Sequence, residues 1–481
     1  MNISIETPVF KGGWLQQCID SVLNQTSEHW TFSLLWDGGD EQSRQILERL
    51  ERVKHPRVRV HFGENRGIAR ARRFLSEHSQ GDYILPLDDD DVLPGHAVES
   101  FLAFAESRPW GGIVRAKRKF IDQSGRVVDM EPWFPFEPRH SQFGMVTDLF
   151  NHSQPYLIRR AAYQRTDGWE GFPDFMFAGE DCDIFLKVEE VAPVELLDQV
   201  LYYYRLHSGR ASDTLTPKAA YEMWRRLADR TIARLGLPLR RTNDMPPFRY
   251  ERLRRPAPTR DMVDFVVPLG ESPEAGAGPA PALQSLGRCG ISQEAIHRVP
   301  RGRSRAAARN QGFRETSRPL VCFLDEDVDL GRPEALDGLL AAMHEHQADV
   351  AGPRIVGEMG EVLCAEPSFD RRRPVERATP GQGGDGVRKV AEVPWLPWSA
   401  LLVRREVVKA VGGFDEETVG DELADVDFGL RARQRDFTCL HAGTIEVVRR
   451  GRGADRDTPR GLVALHARWQ SHAHLLDWRE R

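Results

Sequence analysis

The densest chemical signal in the chain is a run of four aspartates, Asp88-Asp89-Asp90-Asp91, entered directly from the apolar stretch YILPL. Four carboxylates at the end of a buried strand repel one another, and a divalent cation relieves that cost. Alternate carboxylates, Asp88 and Asp90, can converge on one hard ion. Oxygen-only ligation favours Mn2+ or Mg2+ over Zn2+, and such ions keep positions open for substrate phosphates. The plain alternative is a solvated acidic turn.

The elements around this run alternate. Ile3–Ile5 reads as a strand, Trp14–Leu23 as a helix and Phe32–Trp36 as a strand that ends in the turn Asp37-Gly38-Gly39-Asp40. Ser43–Val53 reads as a helix, Val58–Phe62 as a strand, Ile68–Leu75 as a helix and Tyr83–Leu87 as a buried strand. The βαβ rhythm predicts an α/β fold, a mostly parallel sheet with helices on both faces. Sites in such sheets lie at the carboxyl ends of the strands, where Asp37 and Asp88 fall.

With these elements in place, the N-terminal half resembles a family 2 glycosyltransferase of the GT-A fold. The matching residues are Thr7-Pro8 after the first strand, the helix Cys18-Ile-Asp-Ser-Val-Leu-Asn-Gln25-Thr26, the turn Asp37-Gly38, and Asn65-Arg-Gly67 followed by Ala71-Arg72. They continue with the DxD motif Asp88–Asp90, Gly179-Glu180-Asp181, and Tyr204-Arg205-Leu-His207 with Ser212. Together they cover about residues 3–212. Trp36 and Arg73 depart from the family's usual Asp and Asn. The resemblance implies an inverting transfer of a sugar from a nucleotide diphosphate sugar, commonly a UDP-sugar, to a hydroxyl acceptor in polysaccharide or glycan biosynthesis. It implies that Thr7, Pro8 and Asp37 hold the base and that Arg72, Asp88 and Asp89 hold the donor. Asp88, Asp90 and His207 would hold Mn2+ or Mg2+. Asp181, with Glu180 beside it, would be the catalytic general base. A helix N-cap is the plain reading of Asp181, and a loop histidine that of His207. The acceptor would be a glycan, a lipid-linked sugar or a protein hydroxyl.

The second half echoes the first. Ala71-Arg72 recurs as Ala308-Arg309, and Leu87–Asp90 as Leu324-Asp325-Glu326-Asp327 with the same 16-residue spacing from arginine to aspartate. Leu157–Trp169 recurs as Leu402–Phe414, and Asp181-Cys-Asp183 as Asp425-Val-Asp427. Four matched blocks in one order indicate a tandem duplication: residues 1–236 as a GT-A domain closing on helix Pro217–Gly236, residues 237–261 as a Pro/Arg-rich linker, and residues 262–481 as a second, shorter GT-A-like domain. Arg309, Asp325, Asp327 and Asp425 are its candidate site residues. The copy departs from the pattern. The strand carrying an Asp37 equivalent is expected to be missing, Ala424 replaces the glutamate, and Arg449-Arg450 stand near the place of the late histidine. A second transferase and a degenerate unit that binds acceptor or mediates assembly both remain open.

Composition bounds these readings. The 481 residues carry 66 Lys and Arg against 72 Asp and Glu, a net charge of −6, which argues against bulk binding to nucleic acid. No apolar run is long enough to span a membrane. The first residues read as a strand rather than a signal peptide, and the six scattered cysteines fit reduced thiols. A cytoplasmic protein follows, with peripheral contact at the inner face of the membrane an option. The aromatics Trp133, Phe134 and Phe136, and Trp395 and Trp398, read either as sugar-stacking faces or as core. His472 and His474, two apart on a helix, do not face each other. A nucleotidyltransferase would need the same acidic pairs but also a glycine-rich phosphate loop, which the start of the chain lacks. A non-catalytic nucleotide-sugar scaffold would keep binding without transfer.

Overall fold

In the computed structural model the described residues are 1–128, 154–170, 179–208, 216–244, 248–270, 279–302, 304–365, 367–370, 373–375, 388–417, 419–450, 459–469 and 476. Ser212, the cluster Trp133, Phe134 and Phe136, and His472 and His474 lie outside them. The described residues divide into two compact units. The first runs from Met1 to Arg234 and adds Arg241–Glu251; the second takes Leu235–Arg240 and Arg252 onward. The expected linker, 237–261, carries two short strands, Leu239–Arg241 and Tyr250–Arg252.

The first unit is built on strands β1 (Ile3–Val9), β2 (Trp30–Asp37), β3 (Val58–Gly63) and β4 (Tyr83–Pro86). Helices α1 (Leu15–Leu23), α2 (Glu41–Val53) and α3 (Ile68–His78) alternate with them. Strand β1 pairs in parallel with β2 on one side and β4 on the other, and β2 pairs in parallel with β3. Its alternate residues Ile3, Ile5 and Val9 are fully buried with Phe32, Leu34 and Leu85 on one face, while Ser4 and Glu6 are buried polar residues on the other. Beyond β4 the sheet turns antiparallel through Tyr156–Arg159 and then Ile113–Ile121, which pairs in parallel with Val194–Arg205. The order β3-β2-β1-β4 reverses direction at β1. That crevice, at the carboxyl ends of the strands, is where a doubly wound sheet binds its ligand, and Thr7, Asp37 and Asp88 all lie there.

Helix α2 begins at Glu41, two residues before the expected Ser43. Asp40 is its N-cap, and its carboxylate accepts a hydrogen bond from the Ser43 amide at 2.7 Å. Gly38 is held at φ +72°, where a Cβ would stand 2.6 Å from the Asn65 amide nitrogen, so the turn after Asp37 requires glycine.

The second unit repeats the plan. Val263–Leu269 pairs in parallel with Ile296–Pro300 and with Leu320–Leu324. Leu320–Leu324 meets Ala400–Arg404 antiparallel, and Val350–Gly357 pairs in parallel with Cys439–Arg449. The α/β, two-sheet GT-A expectation is met in both units. Among the described residues, what the second unit lacks is the outer strand matching β3. The place beside the first strand, held by β2 in the first unit, is filled by Ile296–Pro300. Trp395 and Trp398 are core residues, not an exposed sugar platform. No described helix is long and apolar enough to cross a membrane.

Candidate active site

Two polar spans meet at the end of β4. The acidic run follows that strand, and Glu180–Val191 forms a helix, α4, whose first turn holds Glu180, Asp181 and Asp183. Arg72 from α3 joins them. Its guanidinium is 1% exposed, with Nη2 2.6 Å from Asp88 Oδ1 and Nε 3.3 Å from Glu180 Oε1. Burial alone would lower the arginine's pKa, but the Asp88 and Glu180 carboxylates outweigh it and push it up. Two charges from distant parts of the chain are thus tied to one planar donor. The Trp169 ring lies under Arg72 with its centroid 5.4 Å from the guanidinium carbon. The Trp169 indole N–H donates to Ser76 Oγ at 2.9 Å, and Ser76 donates to the buried Glu6 at 2.6 Å.

The carboxylates of the run are not equivalent. Burial raises Asp88 to about 6, with Asp90 and Glu180 adding to the rise against the pull of Arg72. Asp89 and Asp91 are pushed well above the usual carboxylate range by burial and by Asp90. Asp89 Oδ2 accepts the Phe10 amide at 3.0 Å, so this side chain faces back to the loop after β1. Asp91 Oδ1 accepts the Arg205 amide at 2.7 Å. Asp90 Oδ2 stands 2.7 Å from His207 Nε2, and the His207 ring packs against Trp14 at 4.5 Å between centroids. Among the described residues no three His, Cys, Asp or Glu side chains form a ready-made metal cage.

Asp181 does not cap its helix. Gly179, at φ +89°, holds the N-cap position, where a Cβ would stand 2.7 Å from Met223 Sδ. Asp181 is the second residue of the helix, half-buried, and its Oδ1 accepts the Cys182 amide at 2.8 Å. Burial first, and the Glu180 charge second, raise its carboxyl to about 7. A carboxylate with that pKa in a strand-end crevice has the properties of a general base near neutral pH. Asp37 is buried and accepts the Arg66 amide on both oxygens, at 3.1 and 3.2 Å; burial raises its pKa. Thr7 is fully buried, with its hydroxyl against the Cys18 thiol.

The first unit therefore brings together Arg72, Asp88, Glu180 and Asp181, and separately Asp90 with His207. The sequence reading missed Arg205, fully buried beneath the run, with Nε on the Asp90 carbonyl at 2.8 Å and Nη2 on Gln17 at 2.8 Å. It also missed Trp14 and Trp169 as platforms for His207 and Arg72. Arg205 stood inside the Tyr204–His207 motif, and that was the available signal; for the two tryptophans the sequence offered only apolar character.

In the second unit Arg309 keeps its partner, ion-paired to Asp325, and its guanidinium lies 4.0 Å from the centre of the Trp398 ring. Asp325 is held below the usual carboxylate range: burial would raise it, but Arg309 and Arg449 outweigh burial. Asp327 pairs with Arg449 at 3.0 Å. Asp425 is 1% exposed, and its carboxylate accepts the Trp398 and Val426 amides at 3.2 and 2.9 Å.

The sequence model of "Glycosyl transferase family 2" matches residues 4–166 and 295–410, one stretch in each half and more than half of the chain together. The chain belongs to this family. It is 28% identical over 212 residues to a chondroitin synthase of Pasteurella multocida, covering 44% of this chain and 21% of that protein. It is 26% identical over 258 residues to an Escherichia coli chondroitin synthase, covering 52% and 36%. The chain thus spans well under half the length of either synthase. Among solved structures, S. aureus TarS 1–349 in complex with UDP-GlcNAc aligns with a TM-score of 0.39 and 18% identity, covering 48% of this chain and 66% of that one.

Proposed function

We propose that the first unit is an inverting glycosyltransferase centre that moves a sugar from a nucleotide diphosphate sugar, a UDP-sugar in the first instance, to a hydroxyl acceptor. The observation that carries this is Arg72, whose one guanidinium binds both the DxD run at Asp88 and the helix that presents Asp181. Donor and base are thereby fixed in one frame. Asp181 takes the proton from the acceptor hydroxyl as that oxygen attacks the anomeric carbon. The bond to the diphosphate breaks on the opposite face, and one displacement with one base inverts that carbon. Glu180 is buried with Arg72 and keeps the Asp181 pKa high. Thr7, Pro8 and Asp37 line the base site. Arg72 and Asp88 orient the donor, and Asp89 does so through the Phe10 amide it holds.

Asp90, His207 and Asp88 suit a hard divalent cation, Mn2+ or Mg2+: they offer carboxylate oxygens and one imidazole nitrogen, and Asp90 pairs with a histidine rather than with a fixed cation. Bound there, the ion would supply charge neutralisation for the departing diphosphate. The two chondroitin synthases among the relatives support a glycan acceptor and a place in polysaccharide biosynthesis, with lipid-linked and protein hydroxyls as the other acceptor classes. We assign residues 1–236 to this domain, 237–261 to the linker and 262–481 to the second domain, and place the protein in the cytoplasm, with peripheral contact at the inner face of the membrane open to it. The test is release of nucleoside diphosphate from a panel of nucleotide sugars with Mn2+. Turnover lost in Asp90→Asn supports the reading; turnover indifferent to Asp90→Asn and to chelator overturns the metal assignment.

A further inference from the structure

The two units treat the same pair of carboxylates in opposite ways, and one arginine makes the difference. In each unit a long strand ends on an arginine at the same place in the sheet: Arg205 opposite Ile121 in the first, Arg449 opposite Gly357 in the second. Arg205 turns away from the acidic side chains. Its Nε and Nη1 donate to the carbonyls of Asp90 and Asp122 at 2.8 and 3.1 Å, and its Nη2 to Gln17. The Asp90 carboxylate is left to His207.

Arg449 turns inward. Its Nε reaches Asp327 Oδ2 at 3.0 Å, its Nη2 reaches Asp325 Oδ2 at 3.4 Å, and its Nη1 reaches Ser399 Oγ at 3.1 Å. One planar cation thus spans the two alternate carboxylates that would otherwise converge on a metal ion. The other oxygen of Asp325 is taken by Arg309, and Glu326 is taken by Arg301 at 3.1 Å. Asp327 Oδ1 is buried without a partner, so charge is balanced here although one lone pair is unmatched. Two residues past Arg449, where the first unit has His207, the sequence has Gly451.

The rest of the site is altered to match. Ile296–Pro300 fills the sheet place of β2, so Arg301, just past that strand, takes the register position that Asp37 holds at the end of β2. Ala424 replaces Glu180. Asp425, the counterpart of Asp181, is closed off against the Trp398 and Val426 amides.

We propose that Arg449 is the resident cation of the second unit. This unit takes no divalent metal at Asp325 and Asp327 and is not a second transferase centre, so the described chain transfers at one site only. A divalent ion would have to displace a buried guanidinium held by two carboxylates and a hydroxyl, and would then face Arg309 and Arg301 at short range. The inference uses the proposed first-unit site as its reference.

The test counts Mn2+ bound per full-length chain by electron paramagnetic resonance in the presence of UDP. Wild type should bind one ion, Asp90→Asn none and Asp327→Asn still one. Arg449→Gln, which removes the charge and leaves a shorter polar side chain, should bind a second. Two ions in wild type with one lost in Asp327→Asn would overturn the inference, as would Arg449→Gln remaining at one. If Arg449→Gln does not fold, wild type against Asp327→Asn still decides between one ion and two. Wild type binding none while Arg449→Gln gains one would contradict the first-unit reading and leave this inference standing.

Discussion

Replacing Asp181 by Asn changes one proton acceptor and little else in shape. The wild-type carboxyl titrates at about 7, raised first by burial and then by Glu180. If Asp181 is the base, only its ionised form works. kcat/KM should climb with pH to a plateau above neutrality, and at pH 6 it should sit about tenfold below that plateau. Asp181→Asn should lose ~10²–10⁴-fold of the rate, about 2.7–5.5 kcal/mol of barrier, and what activity remains should lose the ascending limb. Stability should move the other way. A carboxyl whose folded pKa is raised contributes stability that is full below its unfolded pKa of about 4 and lost as pH rises through about 7. Asn does not pay that ionisation cost, so Asp181→Asn should melt higher than wild type at pH 8, with the gap closing as pH falls towards 4. The assays are initial rates of UDP release across pH and thermal unfolding at the two ends of that range. A flat pH profile, or a variant within threefold of wild type, would refute the assignment.

Three further outcomes follow from the same geometry. Arg72→Lys keeps a charge but cannot fork between Asp88 and Glu180; it should cost about 1–3 kcal/mol in unfolding experiments and lower kcat/KM by roughly 10²-fold through lost alignment. Asp37→Ala should raise the donor KM by about tenfold or more with a smaller effect on kcat, since it removes hydrogen bonding to a charged group made in ground and transition states alike; a fall in kcat alone would contradict a base-binding role. His207→Ala should raise the Mn2+ concentration needed for half-maximal turnover, with the EDTA-treated enzyme recovering on added Mn2+; an unchanged Mn2+ requirement would remove His207 from the ion's site.

Much of the first unit was legible because its signals are local. Buried strands with both faces apolar, Asp-Gly at a strand end and four aspartates after YILPL each carry their meaning within a few residues. The duplication was legible for the same reason. What the sequence left open depends on side-chain direction. Arg205 and Arg449 both end a long strand, yet one points to carbonyls and the other to carboxylates, and no spacing distinguishes them. Asp181 and Asp425 share the Asp-x-Asp pattern, but only the packing of Trp398 closes the second. The strand expected to be missing from the second unit was misplaced: the strand beside the first is present, and among the described residues it is the outer one that has no counterpart. The shortened chain between Val263 and Arg309 fixed how much was lost, not which sheet position was vacated.

The most direct test compares the paired aspartates. UDP release from the UDP-sugar that wild type turns over, with Mn2+ present, should collapse in Asp181→Asn and persist in Asp425→Asn. Loss of activity in Asp425→Asn with Asp181→Asn unaffected would place the chemistry in the other unit and contradict the account.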